Sequence, residues 1–229
     1  MRTTVDRETI ARGRRVGQVA NFIGVFLVFL GLIASFTPYK AITVVSVALG
    51  VVMYTIGNRG LSQADREVRF VEQLEDELGG LDDRHRLYSH VLPGDHVLVT
   101  PRAIYVLVVK GMEGRVRCYR DKWVRDISLR RLLRFFTDEP LGNPTKDAQG
   151  QVKKMEKYLS ELDPQPDVAV QPLVVFANPG VRLETTGATL PVLPLRRLRS
   201  FVRKAAPKEE IPPETLGALT RAFEEARSA

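Results

Sequence analysis

Residues 16–58 read VGQVANFIGVFLVFLGLIASFTPYKAITVVSVALGVVMYTIGN and contain a single charged residue, Lys40. A helix needs about 17–25 apolar residues to cross the hydrocarbon layer of a bilayer. The uncharged stretches on both sides of Lys40 reach that length, and Pro38 breaks the helix between them. The sequence therefore predicts two antiparallel membrane spans, at about residues 16–37 and 41–58, joined by a tight turn.

Two other interpretations of this stretch fit less well. A cleaved signal peptide has a shorter apolar core and a small-residue cleavage site, and it is not followed at once by a second apolar span. A buried hairpin of a soluble domain rarely contains two adjacent uncharged segments of this length. Small residues at helical spacing, Gly31 with Ser35 and Ser46 with Gly50, predict a close approach of the two spans.

The flanking arginines predict the orientation of the hairpin. Loops rich in Arg and Lys stay on the cytoplasmic side of a membrane. The turn carries only Lys40, whereas eight arginines flank the spans on the other side: Arg2, Arg7, Arg12, Arg14, Arg15, Arg59, Arg66 and Arg69. We therefore expect a multi-pass protein of the inner membrane with both termini and the soluble part in the cytoplasm.

The composition of the 229-residue chain limits the kinds of site it can contain. Its single cysteine, Cys118, excludes an intrachain disulfide and a cysteine zinc cluster. The three histidines show no recognised metal-binding spacing. The net charge of +7 favours an anionic partner, and nucleic acid, anionic lipid headgroups and acidic proteins all qualify.

The sequence divides into a hairpin (residues 1–60), an α/β domain (61–205) and a C-terminal amphipathic helix (206–229). A stripe of apolar residues predicts a helix over Leu61–Leu78 with Ser62 as its cap. Further elements are predicted as follows: strands at His96–Thr100, Ala103–Lys110 and Arg115–Arg120, the last as an edge strand; a helix at about 145–162; a strand at 168–177; and helices near 194–206 and 213–228. This αβββαβ order is that of restriction-endonuclease-like, PD-(D/E)XK nuclease folds.

Several short motifs occur in a consistent order along this domain. They are Gly94-Asp95-His96 before a strand, a strand ending in Val108-Val109-Lys110, then Gly114, Trp123, Asn143-Pro144 before a helix with Gln151, and Val174–Asn178. Together they resemble the nuclease-related domain family, NERD, from about Ala64 to Asn178. The resemblance implies a metal-dependent nuclease site with Asp95 as metal ligand and with Lys110, Glu67 and Gln151 as further catalytic residues.

The chain departs from the family pattern at two positions. The family places Glu-x-Lys on its third strand, but Val108 stands where that Glu is expected, and valine cannot bind a metal. Asp147 stands in place of the family's first Gln. The resemblance implies Mg²⁺ only if a displaced carboxylate replaces the Glu, for which Glu67, Glu113 and Asp147 are candidates. From the residues alone, Asp95 could also cap a turn, and Lys110 or Glu67 could simply be solvated.

Basic residues form two runs in the soluble part. Within the first, from Lys110 to Arg134, we expect four residues to contact DNA or RNA, namely Arg115, Arg117, Arg120 and Lys122. The second lies between Arg196 and Lys204. The alternative is that these cations are solvated or face anionic lipid headgroups.

Three functions are compatible with these features. The first is a membrane-anchored NERD-like module that binds nucleic acid and hydrolyses it weakly or not at all. The second is an active nuclease with a displaced carboxylate. The third is a non-enzymatic scaffold at the membrane that binds a protein whose identity the sequence does not give.

Overall fold

The computed structural model describes residues 1–38, 40–126, 139–204 and 209–226. These residues form two compact units. The hairpin unit comprises Arg7–Arg69 without Tyr39. The α/β unit comprises Met1–Asp6 together with the described residues from Phe70 onward.

The hairpin unit contains helix α1 (Arg7–Ala34) and most of helix α2 (Lys40–Leu78). Both helices are long and apolar enough to cross a membrane. The prediction of a separate helix capped by Ser62 is wrong, because α2 runs without a break through Arg59 and Gly60. Gly60 is accommodated there since it lies against Gly17, with 3.4 Å between the position of an added Cβ and the Gly17 Cα.

Glycines spaced seven residues apart bring α1 and α2 together. Gly17, Gly24 and Gly31 are the buried residues of α1. A Cβ on Gly57 would lie 2.5 Å from the backbone nitrogen of Asn21 and 2.7 Å from the carbonyl oxygen of Gly17. The two backbones are therefore in direct contact, as small residues allow in membrane helices.

The apolar side chains of the hairpin unit point mainly outward. Phe22, Phe26 and Phe29 are 77%, 64% and 59% exposed. A core helix of a soluble protein would bury such side chains. This exposure therefore argues against the interpretation of the hairpin as the buried core of a soluble domain.

The α/β unit contains nine strands and three complete helices among its described residues, besides the end of α2. The strands are β1 (Arg2–Val5), β2 (Arg86–Ser89), β3 (His96–Val99), β4 (Ile104–Lys110), β5 (Gly114–Tyr119), β6 (Lys122–Arg125), β7 (Val170–Phe176), β8 (Val181–Glu184) and β9 (Val192–Pro194). The helices are α3 (Pro144–Ser160), α4 (Leu198–Lys204), which follows a 3-10 turn at Leu195–Arg197, and α5 (Pro213–Ala226). The α/β class is confirmed.

The main sheet has the strand order β1-β2-β3-β4-β7-β9. Strands β2, β3 and β4 are antiparallel neighbours, whereas β4, β7 and β9 run parallel, as do β1 and β2. Neither β1 nor β2 was predicted, because each has only four residues and begins with an arginine. Strand β2 changes how the structure matches the αβββαβ order. The three successive strands of that order are β2, β3 and β4, so β3 is the second strand and β4 is the third.

Strand β5 is not the edge strand that the sequence predicts. It is the central strand of a second, three-stranded sheet with the order β6-β5-β8. Its alternating pattern of basic and apolar residues arises because one face of this small sheet is exposed while the other packs inward. On the inward face, Val116 and Cys118 are buried.

The main sheet has a hydrophobic core on each face. On one face, Leu87, Leu98 and Leu107 pack with Leu74 of α2 and Leu198 of α4. On the other face, the apolar side chains of β3 and β4 pack with α3 and α5, through Val97, Val106, Met155 and Phe223 among others. Strand β4 is buried on both faces, as its uninterrupted apolar sequence predicts.

Candidate functional site

The helix that carries Gln151 starts where the sequence predicts. The Asn143 side chain accepts a hydrogen bond from the Lys146 backbone N–H at 3.1 Å, and Pro144 occupies the first helical turn. This is a standard helix start, since the cap satisfies a free N–H and proline lacks one. Two turns further on, Gln151 points toward the main sheet.

Gln151 and Asp95 are joined by two hydrogen bonds. The Gln151 Nε2 donates to Asp95 Oδ2 at 2.6 Å, and the Asp95 backbone N–H donates to Gln151 Oε1 at 3.1 Å. Asp95 lies in the turn between β2 and β3, immediately before His96. The structure thus brings together two of the residues that the sequence proposed for one site, although 56 positions separate them.

Val108 and Lys110 lie on β4, two positions apart, so their side chains share a face of the sheet. His96 of β3 pairs with Leu107 of β4 in an antiparallel register. Continuing this register by one residue places Asp95 opposite Val108. Val108, where the resemblance leads us to expect a Glu, therefore lies beside Asp95.

The surroundings of Val108 are apolar. It is 3% exposed and belongs to a buried cluster with Met112, Ala148, Val174 and Phe176. A carboxylate at this position would enter an apolar cluster, which is unfavourable. Valine fits this cluster, and the Glu of the Glu-x-Lys pair that the resemblance implies is absent from the sequence.

Two carboxylates flank Lys110. Its ammonium nitrogen lies 3.5 Å from Asp147 Oδ2 and 3.8 Å from Glu139 Oε1. Asp147 precedes Gln151 by one helical turn, so both side chains project from the same side of α3. Glu139 also accepts a hydrogen bond from the Gly111 backbone N–H at 2.8 Å. Sequence reasoning missed Glu139, because it belongs to no motif and precedes the Asn-Pro helix start.

We call Asp95, Val108, Lys110, Asp147 and Gln151 the motif site. The motif site does not fit the two-carboxylate Mg²⁺ arrangement of PD-(D/E)XK nucleases. Divalent magnesium prefers oxygen ligands in octahedral geometry. Of the two family ligand positions, Asp95 is engaged by the Gln151 amide and Val108 has no donor atom.

The other predicted carboxylates lie away from the motif site or outside its unit. Glu113 is exposed in the segment before β5, where its backbone carbonyl accepts a hydrogen bond from Arg125 Nε at 3.3 Å. Glu67 belongs to the hairpin unit. Asp147 is thus the one of the three candidates that lies within the α/β unit beside Lys110.

Two of the four cations expected to contact nucleic acid form ion pairs within the protein. Arg115 is 2.6 Å from Glu184, and Arg117 is 2.6 Å from Asp126. The other two, Arg120 and Lys122, are exposed at the tip of the β5–β6 hairpin. The part of the first basic run at residues 127–134 lies outside the described residues.

Asp121 fixes this hairpin tip. The backbone N–H and hydroxyl of Thr189 donate to its carboxylate at 3.1 Å and 2.9 Å, and the Thr145 hydroxyl donates at 3.2 Å. These hydrogen bonds, with that of the Thr189 backbone the largest cause, hold the pKa of the Asp121 carboxyl below its usual range. Arg120 and Asp121 have φ angles of 48° and 58°, which non-glycine residues rarely adopt.

Trp123 connects the β5–β6 hairpin to the core. Its indole N–H donates to the Thr145 hydroxyl at 2.9 Å, and its ring lies against Phe176 with 6.0 Å between the centroids.

Of the histidines, His90 and His96 lie in contact at 5.4 Å between ring centroids, and His96 Nδ1 is 3.0 Å from the Ser89 hydroxyl. Desolvation raises the pKa of the buried Cys118 thiol, which suits a packing role.

Comparison with known proteins identifies the family of the α/β domain. No curated protein and no solved structure matches the chain. The sequence profile of the nuclease-related domain, NERD, matches residues 60–177, a range that contains β2 to β7 and every residue of the motif site. This match covers half of the 229 residues, and the chain therefore belongs to the NERD family.

Proposed function

We propose that this protein is a membrane-anchored NERD module that binds nucleic acid and hydrolyses it weakly or not at all. One observation supports the proposal: Gln151 of α3 hydrogen-bonds Asp95, Lys110 lies on β4, and buried Val108 occupies the position where the resemblance leads us to expect a metal-binding Glu. Such a site retains a cation and hydrogen-bonding groups but lacks the ligand pair for metal-assisted cleavage.

The anchor is a two-span hairpin in the inner membrane, with both ends on the cytoplasmic side. Strand β1, which precedes α1, pairs with β2, which follows α2. The segments that precede and follow the hairpin thus pair in one sheet, which supports a topology with both ends on the same side of the bilayer. The flanking arginines favour the cytoplasm as that side.

Nucleic acid is the proposed partner because basic residues cluster in one segment of the α/β unit, from Lys110 to Arg125, where six lysines and arginines stand against two acidic residues. Phosphates attract such cations without regard to sequence. Lys110 is 14% exposed and is held by carboxylates on α3 and before it, so its amine has a fixed position. Anionic lipid headgroups offer the same charge and are the competing partner.

A second candidate function is an active nuclease in which Asp147 supplies the displaced carboxylate. The separation of 3.5 Å between Asp147 and Lys110 favours it, since a carboxylate and a lysine are the pair that the family site combines. This alternative requires Asp147 and Asp95 to act together, although Gln151, one turn beyond Asp147 on α3, already forms a hydrogen bond with the Asp95 carboxylate.

The test uses the full chain in nanodiscs of zwitterionic lipid, which removes anionic headgroups as competitors. Binding to labelled DNA and RNA is measured as a function of salt, and cleavage is measured with Mg²⁺ or Mn²⁺. We expect binding that weakens by roughly 0.9 log units per contacted phosphate for each tenfold rise in salt with duplex DNA. Little or no cleavage is expected.

Two outcomes would contradict the proposal. Robust cleavage that is lost in both Asp95→Asn and Asp147→Asn would establish the second candidate instead. Absence of binding to DNA and RNA at low salt, with binding to anionic vesicles, would replace nucleic acid by lipid and favour the scaffold. Lys154→Ala, an exposed lysine of α3 outside the motif site, serves as control for the variants.

A further inference from the structure

The three-stranded sheet has an outer face with a distinctive composition. Residues directly opposite each other on paired strands share a face. Arg117 pairs with Val124 and Tyr119 with Lys122, while Arg115 on β5 pairs with Arg182 on β8. All six of these side chains are exposed. We call them the outer face.

Exposed apolar groups lie at one end of the outer face. Tyr119 is 66% exposed and Val124 is 52% exposed. The Arg120 guanidinium lies 5.2 Å from the centre of the Tyr119 ring, which leaves the cation beside the aromatic surface. An aromatic ring on a strand and next to a cation is a suitable stacking surface for an unpaired base.

The charges of the outer face are only partly neutralised. Glu184 and Asp126 balance Arg115 and Arg117. Lys122 and Arg182 form no ion pair among the described residues of the chain. Within the described part of the chain, the face therefore offers two cations without an ion pair, one on each of the outer strands β6 and β8, on either side of the central strand that carries Tyr119.

The hairpin that carries Tyr119 is held rigidly. Asp121 ties the turn to Thr189 and Thr145, and a Cβ on Gly187 would lie 2.8 Å from the Arg120 backbone nitrogen. The positive φ of Arg120 is unfavourable for an arginine, and a long cationic side chain nevertheless occupies this turn position. A rigid platform loses little conformational entropy when it binds a ligand.

We propose that the outer face is a platform for single-stranded nucleic acid, on which Tyr119 stacks with a base while Lys122 and Arg182 contact phosphates. The proposal rests on the proposed function and specifies its substrate class. Single strands are favoured over duplexes because an exposed ring can stack only on a base that is not already stacked. Arg182 was not among the cations that sequence reasoning selected.

The experiment measures the anisotropy of labelled oligothymidylate and of a labelled duplex with the full chain in zwitterionic nanodiscs. We expect tighter binding of the single strand. Tyr119→Ala should weaken its binding about 5- to 150-fold, the range found for the loss of one base–aromatic stack. Tyr119→Phe keeps the ring and should bind nearly as well as the unchanged protein.

Charge variants separate the outer face from the motif site. Lys122→Glu with Arg182→Glu should weaken single-strand binding and reduce its salt dependence, whereas Arg221→Glu on α5 changes the net charge without touching this face. Folding of each variant is checked by the emission of Trp123, the single tryptophan.

The outcomes distinguish failure of the single-strand platform from failure of the proposed nucleic-acid-binding function. Equal binding of single strand and duplex, or full binding by Tyr119→Ala, would overturn the platform. If the outer-face variants bind normally and Lys110→Ala does not, nucleic acid binds at the motif site alone. If the unchanged protein binds only anionic vesicles, both the platform and the proposed function are wrong.

Discussion

Gln151 and Asp95 form a two-point contact in which the glutamine amide donates to the aspartate carboxylate at 2.6 Å and accepts the aspartate backbone N–H at 3.1 Å. This contact ties α3 to the turn between β2 and β3. It also occupies an oxygen that a metal ligand would need. The same glutamine thus supports the fold and limits the chemistry of the motif site.

Removal of this contact should destabilise the α/β unit. Gln151→Ala leaves the Asp95 backbone N–H and carboxylate without their partner, and hydrogen bonds that involve a charged group contribute roughly 1.5–3 kcal/mol. Because the site is partly exposed, we expect a loss near the lower limit. Thermal unfolding followed by Trp123 emission measures it. Lys154→Ala, on the exposed side of the same helix, should leave the midpoint unchanged.

Val108→Glu should make the thermal stability of the protein depend on divalent metal ions, a dependence that we expect the natural chain to lack. Without divalent cations the variant should unfold at a lower temperature, because a charge enters an apolar cluster. Mn²⁺ at about 100 times its Kd should then restore roughly 2.7 kcal/mol. Val108→Gln has nearly the same shape and should show no Mn²⁺ response. If Mn²⁺ stabilised the natural chain and this effect disappeared when Asp95 was replaced, the conclusion that the motif site does not fit a divalent metal would be wrong.

The close contact of the two hairpin helices predicts different effects for the same substitution at two glycines of α1. A Cβ on Gly24 would overlap the backbone of Tyr54 and lie 2.8 Å from the Gly50 carbonyl oxygen. Gly13 has no atom within 4 Å of an added Cβ. Gly24→Ala should therefore separate the helices, whereas Gly13→Ala should stabilise α1 by up to about 1 kcal/mol. Unfolding in SDS, followed by circular dichroism, compares them.

Asp121 predicts a pH dependence of stability. Its pKa is lowered in the folded state, so the ionised carboxyl stabilises the fold above the ordinary pKa of about 4, and this contribution disappears as the pH falls through the lowered value. Asp121→Asn should be less stable than the natural chain at neutral pH, and the difference should shrink in acid. Asp167→Asn, at an exposed position, should match the natural chain throughout. A difference that is constant with pH would show that ionisation is not the cause.

The hairpin topology predicts the outcome of reporter fusions. A reporter that is active only after export should stay inactive when fused after Ala229. The same reporter inserted after Pro38, in the turn between the helices, should be active. Activity at the C-terminus would place the α/β unit outside the cytoplasm and contradict the arginine-based orientation.

Features that depend only on neighbouring residues were predictable before the structure was known. The two uncharged stretches predicted α1 and the first part of α2, and the apolar run from Ala103 predicted the buried strand β4. Asn143-Pro144 predicted the start of α3, because capping requires only residues within one helical turn. The order of the short motifs was sufficient to indicate the family.

The contacts between distant residues became known only from the folded structure. It added β1 and β2, whose pairing joins segments about 80 positions apart, and it moved β5 from an edge to the centre of a second sheet. It paired Arg115 with Glu184 and so reduced the charge available to a partner. Local sequence patterns cannot predict such contacts, since periodicity fixes the face on which a side chain lies but not the segment that packs against that face.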